Sequence, residues 1–158
     1  MQLDPAPGES ASERTEARIV VSGDALYVGM RLFDSYADSI RSQFLRRDDG
    51  GPSADWAAVI LDSYHDRRTA YRFAATPRGT RTDVLHLNDI GVDTTWDAVW
   101  DVATSVDSAG WTAEFRIPLS QLRFSTSGDM VWGINFARTI GRRAEVSHWA
   151  RVLPTDGR

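Results

Sequence analysis

Residues 110–117 read Gly-Trp-Thr-Ala-Glu-Phe-Arg-Ile, and residues 131–140 read Val-Trp-Gly-Ile-Asn-Phe-Ala-Arg-Thr-Ile. In the first stretch Trp111, Ala113, Phe115 and Ile117 share one face, and Thr112, Glu114 and Arg116 share the other. In the second, Trp132, Ile134 and Phe136 alternate against Asn135. Period-two alternation of this kind marks a half-buried antiparallel strand. The polar faces carry Asn, Arg and Glu in a Trp-rich chain, which suits a sheet to holding a polar ligand rather than to chemistry.

Working outward, further strands are expected at short spacing. Residues 15–21 and 25–34 form the clearest hairpin, turning at Ser22-Gly23-Asp24. Strands are expected at 57–63, 69–76, 81–87, 99–106, 111–117, 130–140 and 146–152. Pro77-Arg78-Gly79 is a turn signal. Pro118 ends its strand because it has no N–H to donate, and 118–122 reads as one helical turn. Residues 35–46 fit either a helical turn or a short strand, 47–55 read as a polar loop, and 88–97 as a longer one. Residues 1–13, with Pro5, Pro7 and Gly8, read as a flexible lead-in to a single domain over 14–153. About nine or ten short strands without a long helix predict an all-β antiparallel β-sandwich or jelly roll.

The 158 residues suffice for one domain with a sizeable core, at 42% hydrophobic and 25% charged. A formal charge of −4 argues against nucleic acid, which needs a basic stripe. No apolar run approaches the ~18 residues of a membrane span, and residues 1–12 lack the apolar core of a signal peptide. The absence of cysteine excludes disulfides, thiol catalysis and Cys-zinc sites.

Six tryptophans are the main candidates for contact with a ligand, since aromatic faces stack on flat apolar ligand surfaces. Trp111 and Trp132 are in phase with apolar neighbours and read as core, as does Trp100. Trp56 and Trp96 lie at loop–strand junctions and Trp149 near the end of the chain, positions open equally to exposure toward a ligand and to the core. Arg72 alternates against Tyr71 and Phe73 and so faces away from both rings; its fork of donors suits hydroxyls or a carboxylated sugar. The bland alternative is a surface ion pair with Glu114 or Asp62. Asn135 and Arg138 point to opposite faces, so one of them at most shares a face with a ligand. Asp48, Asp49, Asp55, Asp62 and Asp66 offer hard oxygens for calcium, without EF-hand spacing and with turn formation as the competing reason. Catalysis has no support from motifs: there is no GxSxG elbow, no HExxH and no P-loop lysine beside Gly50-Gly51. His65, His86 and His148 fall in no motif.

The segments GESASERTEARIVVSGDALYVGMRLFDS (8–35), VILDSYHDRRTAYRFAATPRGTRTD (59–83), WDAVWDVATSVDSAGWTAEFRIPLSQLRF (96–124) and VWGINFARTI (131–140) together resemble the family 9 carbohydrate-binding module-like (DOMON-like) domain. The resemblance is strongest to the version at the N-terminus of large bacterial proteins that continue into an outer-membrane-type β-barrel. It implies a β-sandwich, carbohydrate binding, frequent company with glycoside hydrolases, and a secreted or cell-envelope setting. Members usually open with a segment like DGxLDExxW, which is lacking here, so the resemblance casts this chain as a piece of a longer one, short of an edge strand at one or both ends.

The function expected is a non-catalytic carbohydrate-binding module. Sugar-binding members clamp a terminal sugar between two tryptophans. No motif places that pair here; by position the candidates are Trp56 and Trp149, with Arg72, Asn135 and Asp55 hydrogen-bonding hydroxyls. No cofactor is expected, calcium being the one candidate ion. The alternative from a different class is a docking module that packs against a C-terminal β-barrel region of the same parent chain and binds no sugar.

Overall fold

In the computed structural model, residues 1–42, 46–48, 53–88, 91–125 and 130–150 are described. They form two antiparallel sheets and no α-helix. The smaller sheet runs in the order β2 (Thr15–Ser22), β3 (Ala25–Phe33), β9 (Gly110–Pro118), β8 (Asp101–Asp107). The larger sheet also takes in β1 (Gln2–Asp4), β4 (Trp56–Asp62), β5 (Ala70–Ala75), β6 (Arg81–Leu87), β7 (Gly91–Asp93), β10 (Gly133–Ile140) and β11 (Glu145–His148). Its order is β1-β11-β10-β4-β5-β6-β7. The sandwich expected from the alternation is what the chain forms, with 11 strands among the described residues rather than nine or ten.

The two additions are β1 and β7, each three residues long. β1 lies within the segment read as a flexible lead-in and pairs with β11. The Met1 ammonium donates to the His148 carbonyl at 2.7 Å, and the His148 N–H donates to the Met1 carbonyl at 2.8 Å. The ambiguous 35–46 stretch holds a 3-10 turn at Ala37–Ser39, and the turn expected after Pro118 is a 3-10 turn at Leu119–Gln121. The expected 146–152 strand is β11, shifted to Glu145–His148; residues 151 and 152 lie outside the described residues.

Alternation sets the core. Leu26, Val28, Met30 and Leu32 of β3 and Trp111, Ala113, Phe115 and Ile117 of β9 face Val59, Leu61, Tyr71, Phe73 and Phe136 of the larger sheet. Trp100 spans the layers: it stacks on Phe115 at 5.8 Å and meets the Phe73 ring edge-on at 5.4 Å. Its indole N–H donates to Asp83 at 3.0 Å. The same buried carboxylate accepts from the Ala98 N–H at 2.7 Å and from Arg47 at 3.0 Å. Asp83 therefore fixes the segment that crosses from one sheet to the other, because a buried carboxylate is costly unless its oxygens are hydrogen-bonded.

Two glycines are demanded by close approach. At Gly110, where φ is +135°, a Cβ would lie 2.0 Å from the Leu32 carbonyl oxygen. At Gly141 it would lie 2.0 Å from that of Ser53. The β10–β11 turn that holds Gly141 carries an ion network joining the sheets. Arg142 grips Asp34, just beyond β3, at 2.7 and 2.9 Å. Arg138 of β10 reaches Asp34 at 3.5 Å, and Glu13 sits 3.6 Å from both Arg142 and Arg143.

Candidate functional site

Two places bring polar and aromatic groups together outside the core. The first is a cleft of about 450 Å³ at the open side of the sandwich. Ala17, Ile19 and Met30 line one wall, and Ile134, Phe136 and Trp149 the other. Glu13, Thr15, Arg138 and Ser147 supply polar groups. Trp149 follows β11 directly and is 70% exposed. Its ring packs against Phe136 at 6.0 Å, and its N–H donates to the Phe136 carbonyl at 2.9 Å. The next residue is also held: the Ala150 N–H donates to Asn135 Oδ1 at 2.9 Å. An exposed indole on a backbone fixed at two consecutive residues is a rigid platform with one free face.

The floor of the cleft is charged. Arg138 is 3% exposed, and its Nε finds no hydrogen-bond partner. Its Nη1 donates to the Arg14 carbonyl at 3.2 Å and to Thr15 Oγ1 at 3.3 Å. Burial lowers its pKa, opposed by the carboxylates of Asp34, Asp55 and Glu13. Glu13 is the one carboxylate among the described lining residues, and it accepts from the Ser35 N–H and hydroxyl at 3.2 and 3.0 Å. Glycoside hydrolysis by two carboxylates needs a second one across the bond to be cut, and the described lining of this cleft offers none.

The second place is the outer face of the larger sheet. Asn135, Ile60, Arg72 and Val84 stand directly opposite one another across β10, β4, β5 and β6. His86 and His148 lie on the same face, one on each side of this row. Trp56, Ala58, Ala74 and Ala137 continue the face as a small buried apolar cluster with Ala54.

The five residues singled out from the sequence do not gather round one point. Trp149 is on the cleft side of the sheet. Arg72, Asn135 and Trp56 are on its outer side. Trp56 is 5% exposed and offers no free ring face. Asp55 is fully buried; its Oδ1 accepts from the Gly141 N–H at 2.8 Å and its Oδ2 has no partner. Burial raises its pKa despite that bond. Asn135 spends its amide on the chain, accepting from Ala150 and lying 3.4 Å from His148 Nδ1. It positions the Trp149 platform from behind. Arg72 faces away from Tyr71 and Phe73 as the alternation requires. It makes no ion pair among the described residues, with Glu114, Asp62 or any other acid.

Arg138 and Phe136 are the cleft residues that a motif search could not single out. The alternation put Phe136 inward and Arg138 on the face opposite Asn135, but periodicity does not say where two sheets part. Of the aspartates weighed for calcium, Asp49 lies outside the described residues. Asp62 accepts the Asp66 and Arg67 N–H groups, and Asp66 those of Arg68 and Thr69. Among the described residues no three acidic or histidine side chains converge as ion ligands. No described helix is long and apolar enough to cross a membrane.

No protein-family model and no curated protein matches the chain. Solved structures do match it in fold. A putative carbohydrate-binding protein from Bacteroides uniformis superposes with a TM-score of 0.71 at 11% identity, over 89% of this chain and 70% of that one. A family 9 carbohydrate-binding module from Caldicellulosiruptor kristjanssonii, solved with cellotriose, superposes with a TM-score of 0.59 at 18% identity, over 89% and 67%. The same module with glucose gives 0.59 and 18%, over 89% and 69%. The β-sandwich is thus shared with carbohydrate-binding proteins, the family 9 module among them.

Proposed function

We propose that the chain is a non-catalytic carbohydrate-binding module that stacks a sugar ring on Trp149 at the mouth of the inter-sheet cleft. The observation that carries this reading is the indole itself: 70% exposed, backed by Phe136, and fixed at adjacent backbone positions. A free aromatic face beside buried polar groups matches what a pyranose offers, with apolar C–H on its faces and hydroxyls round its rim. The fold shared with the family 9 module supports the same reading. Hydroxyls that reach the cleft floor meet the polar lining of Arg138, Ser147 and Thr15. Modest affinity follows, since each sugar–protein hydrogen bond replaces one to water.

The test is a glycan array with and without EDTA, followed by titration of the best ligand. Trp149→Ala should cost about 2 kcal/mol of binding, roughly thirtyfold. Unchanged affinity would remove the platform from the site. Loss of binding in EDTA would bring calcium into the reading.

A second reading, a docking module, rests on a different observation. Ile19 and Val21 of β2 pair with Val28 and Leu26 and have the inward parity of the core, yet are 44% and 66% exposed. A partner that covered them would bury apolar surface, and a β-barrel region of a parent envelope protein is the partner this reading names. Silence across the array from a folded protein would favour it.

A further inference from the structure

Arg72 stands in the middle of the outer face of the larger sheet, on β5, with apolar Ile60 and Val84 directly opposite on either side. It is half-buried, and among the described residues its guanidinium makes neither a hydrogen bond nor an ion pair. Burial pushes its pKa down, with no acid opposing the effect. A guanidinium remains charged at neutral pH all the same. A cation drawn out of water and left without a counter-charge is costly, and an anion brought to it recovers that cost.

The surroundings point the same way. Burial first, and then the Arg72 charge, hold both His86 and His148 below the ordinary histidine value. The guanidinium is therefore felt from both sides of the row. The acids of this face are elsewhere engaged: Asp62 accepts two backbone N–H groups of its own loop, and Asp4, opposite Val146, sits at the far β1 edge. The other arginines in the described ion pairs have carboxylates within 4 Å, from Arg31 with Asp107 to Arg142 with Asp34.

We propose that Arg72 anchors a carboxylate-binding site on this face, for the acid group of a sugar acid such as a hexuronate. Its fork accepts a carboxylate edge-on through two parallel N–H···O bonds, and the neutral imidazoles of His86 and His148 are placed to donate or accept from neighbouring ring hydroxyls. The site is on the opposite side of the sheet from Trp149 and stands whether or not Trp149 holds a sugar.

The test is NMR titration at pH 7, reading the imidazole resonance of His86, since His148 also lines the Trp149 cleft, with sodium D-glucuronate, D-glucose and sodium acetate. Glucuronate should shift His86 saturably, acetate more weakly, and glucose not at all. Arg72→Gln should weaken glucuronate by on the order of tenfold or more, with Arg72→Lys between the two, since a charged bidentate contact is lost. Circular dichroism melts confirm that both variants fold. Trp149→Ala should leave the glucuronate response intact, so failure of the cleft and failure of this site are distinguishable. Equal shifts from acetate and glucuronate would overturn the sugar-acid assignment. A His86 response to glucose as strong as to glucuronate, or full affinity in Arg72→Gln, would overturn the site.

Discussion

Asp83 shows how much one side chain can hold. Its two oxygens take the Ala98 N–H, the Trp100 indole N–H and Arg47, and the side chain is 1% exposed. Asp83→Ala strands those donors and unseats Trp100 between Phe73 and Phe115. A loss on the order of 3 kcal/mol is expected in chemical denaturation. Nothing in the residues 81–87 announced this, because in a strand pattern a polar residue at an inward position reads as an exception without a partner. The tryptophans show the same limit from the other side. Alternation placed Trp111 in the core, where it is fully buried, and position at a junction or near the chain end left Trp56 and Trp149 alike. They differ at 5% and 70% exposure because one packs with Ala54, Ala58, Ala74 and Ala137, while the described ring contact of the other is with Phe136. Those contacts are made across strands distant in sequence.

At the scale of elements, the long strands were legible because eight or nine residues give several full periods, as in β2, β3, β9 and β10. β1 and β7 have three residues each, too few to show a period, and they exist because a neighbouring strand offers an edge. β2 is the edge of the smaller sheet, and its far side is unpaired among the described residues. A long apolar edge is a template for unwanted pairing, and natural proteins blunt such edges with charge. Val21→Lys should therefore lower self-association in light scattering while changing stability by no more than about 0.5 kcal/mol, since the side chain is already 66% exposed. A marked drop in melting temperature would mean that Val21 is packed in solution.

For the whole molecule, pH acts through groups on different elements. His86 of β6 and His148 of β11 have folded pKa values below the usual histidine value. The unfolded chain then binds the proton more readily, so stability is fully present above pH ~6.5 and falls as pH drops toward the folded values. Asp55, raised by burial, works in the opposite sense, its charge being a cost to the fold. Thermal melts between pH 7.5 and pH 5 should show the decline, and the double variant His86→Gln, His148→Gln should flatten it. An unchanged slope in the double variant would assign the decline to other groups.

The uneven burial of the indoles also makes the protein its own optical probe. Trp100 and Trp111 are shut away from solvent, while Trp149 stands 70% exposed at the rim of the cleft. A dissolved quencher such as iodide reaches Trp149 most readily, ahead of the half-buried Trp96 and Trp132. A ring stacked on that indole would shield it and shift its emission to the blue, and a ligand at Arg72, on the other side of the sheet, would leave it unchanged. Occupancy of the cleft can thus be followed apart from that of the outer face in an unlabelled sample.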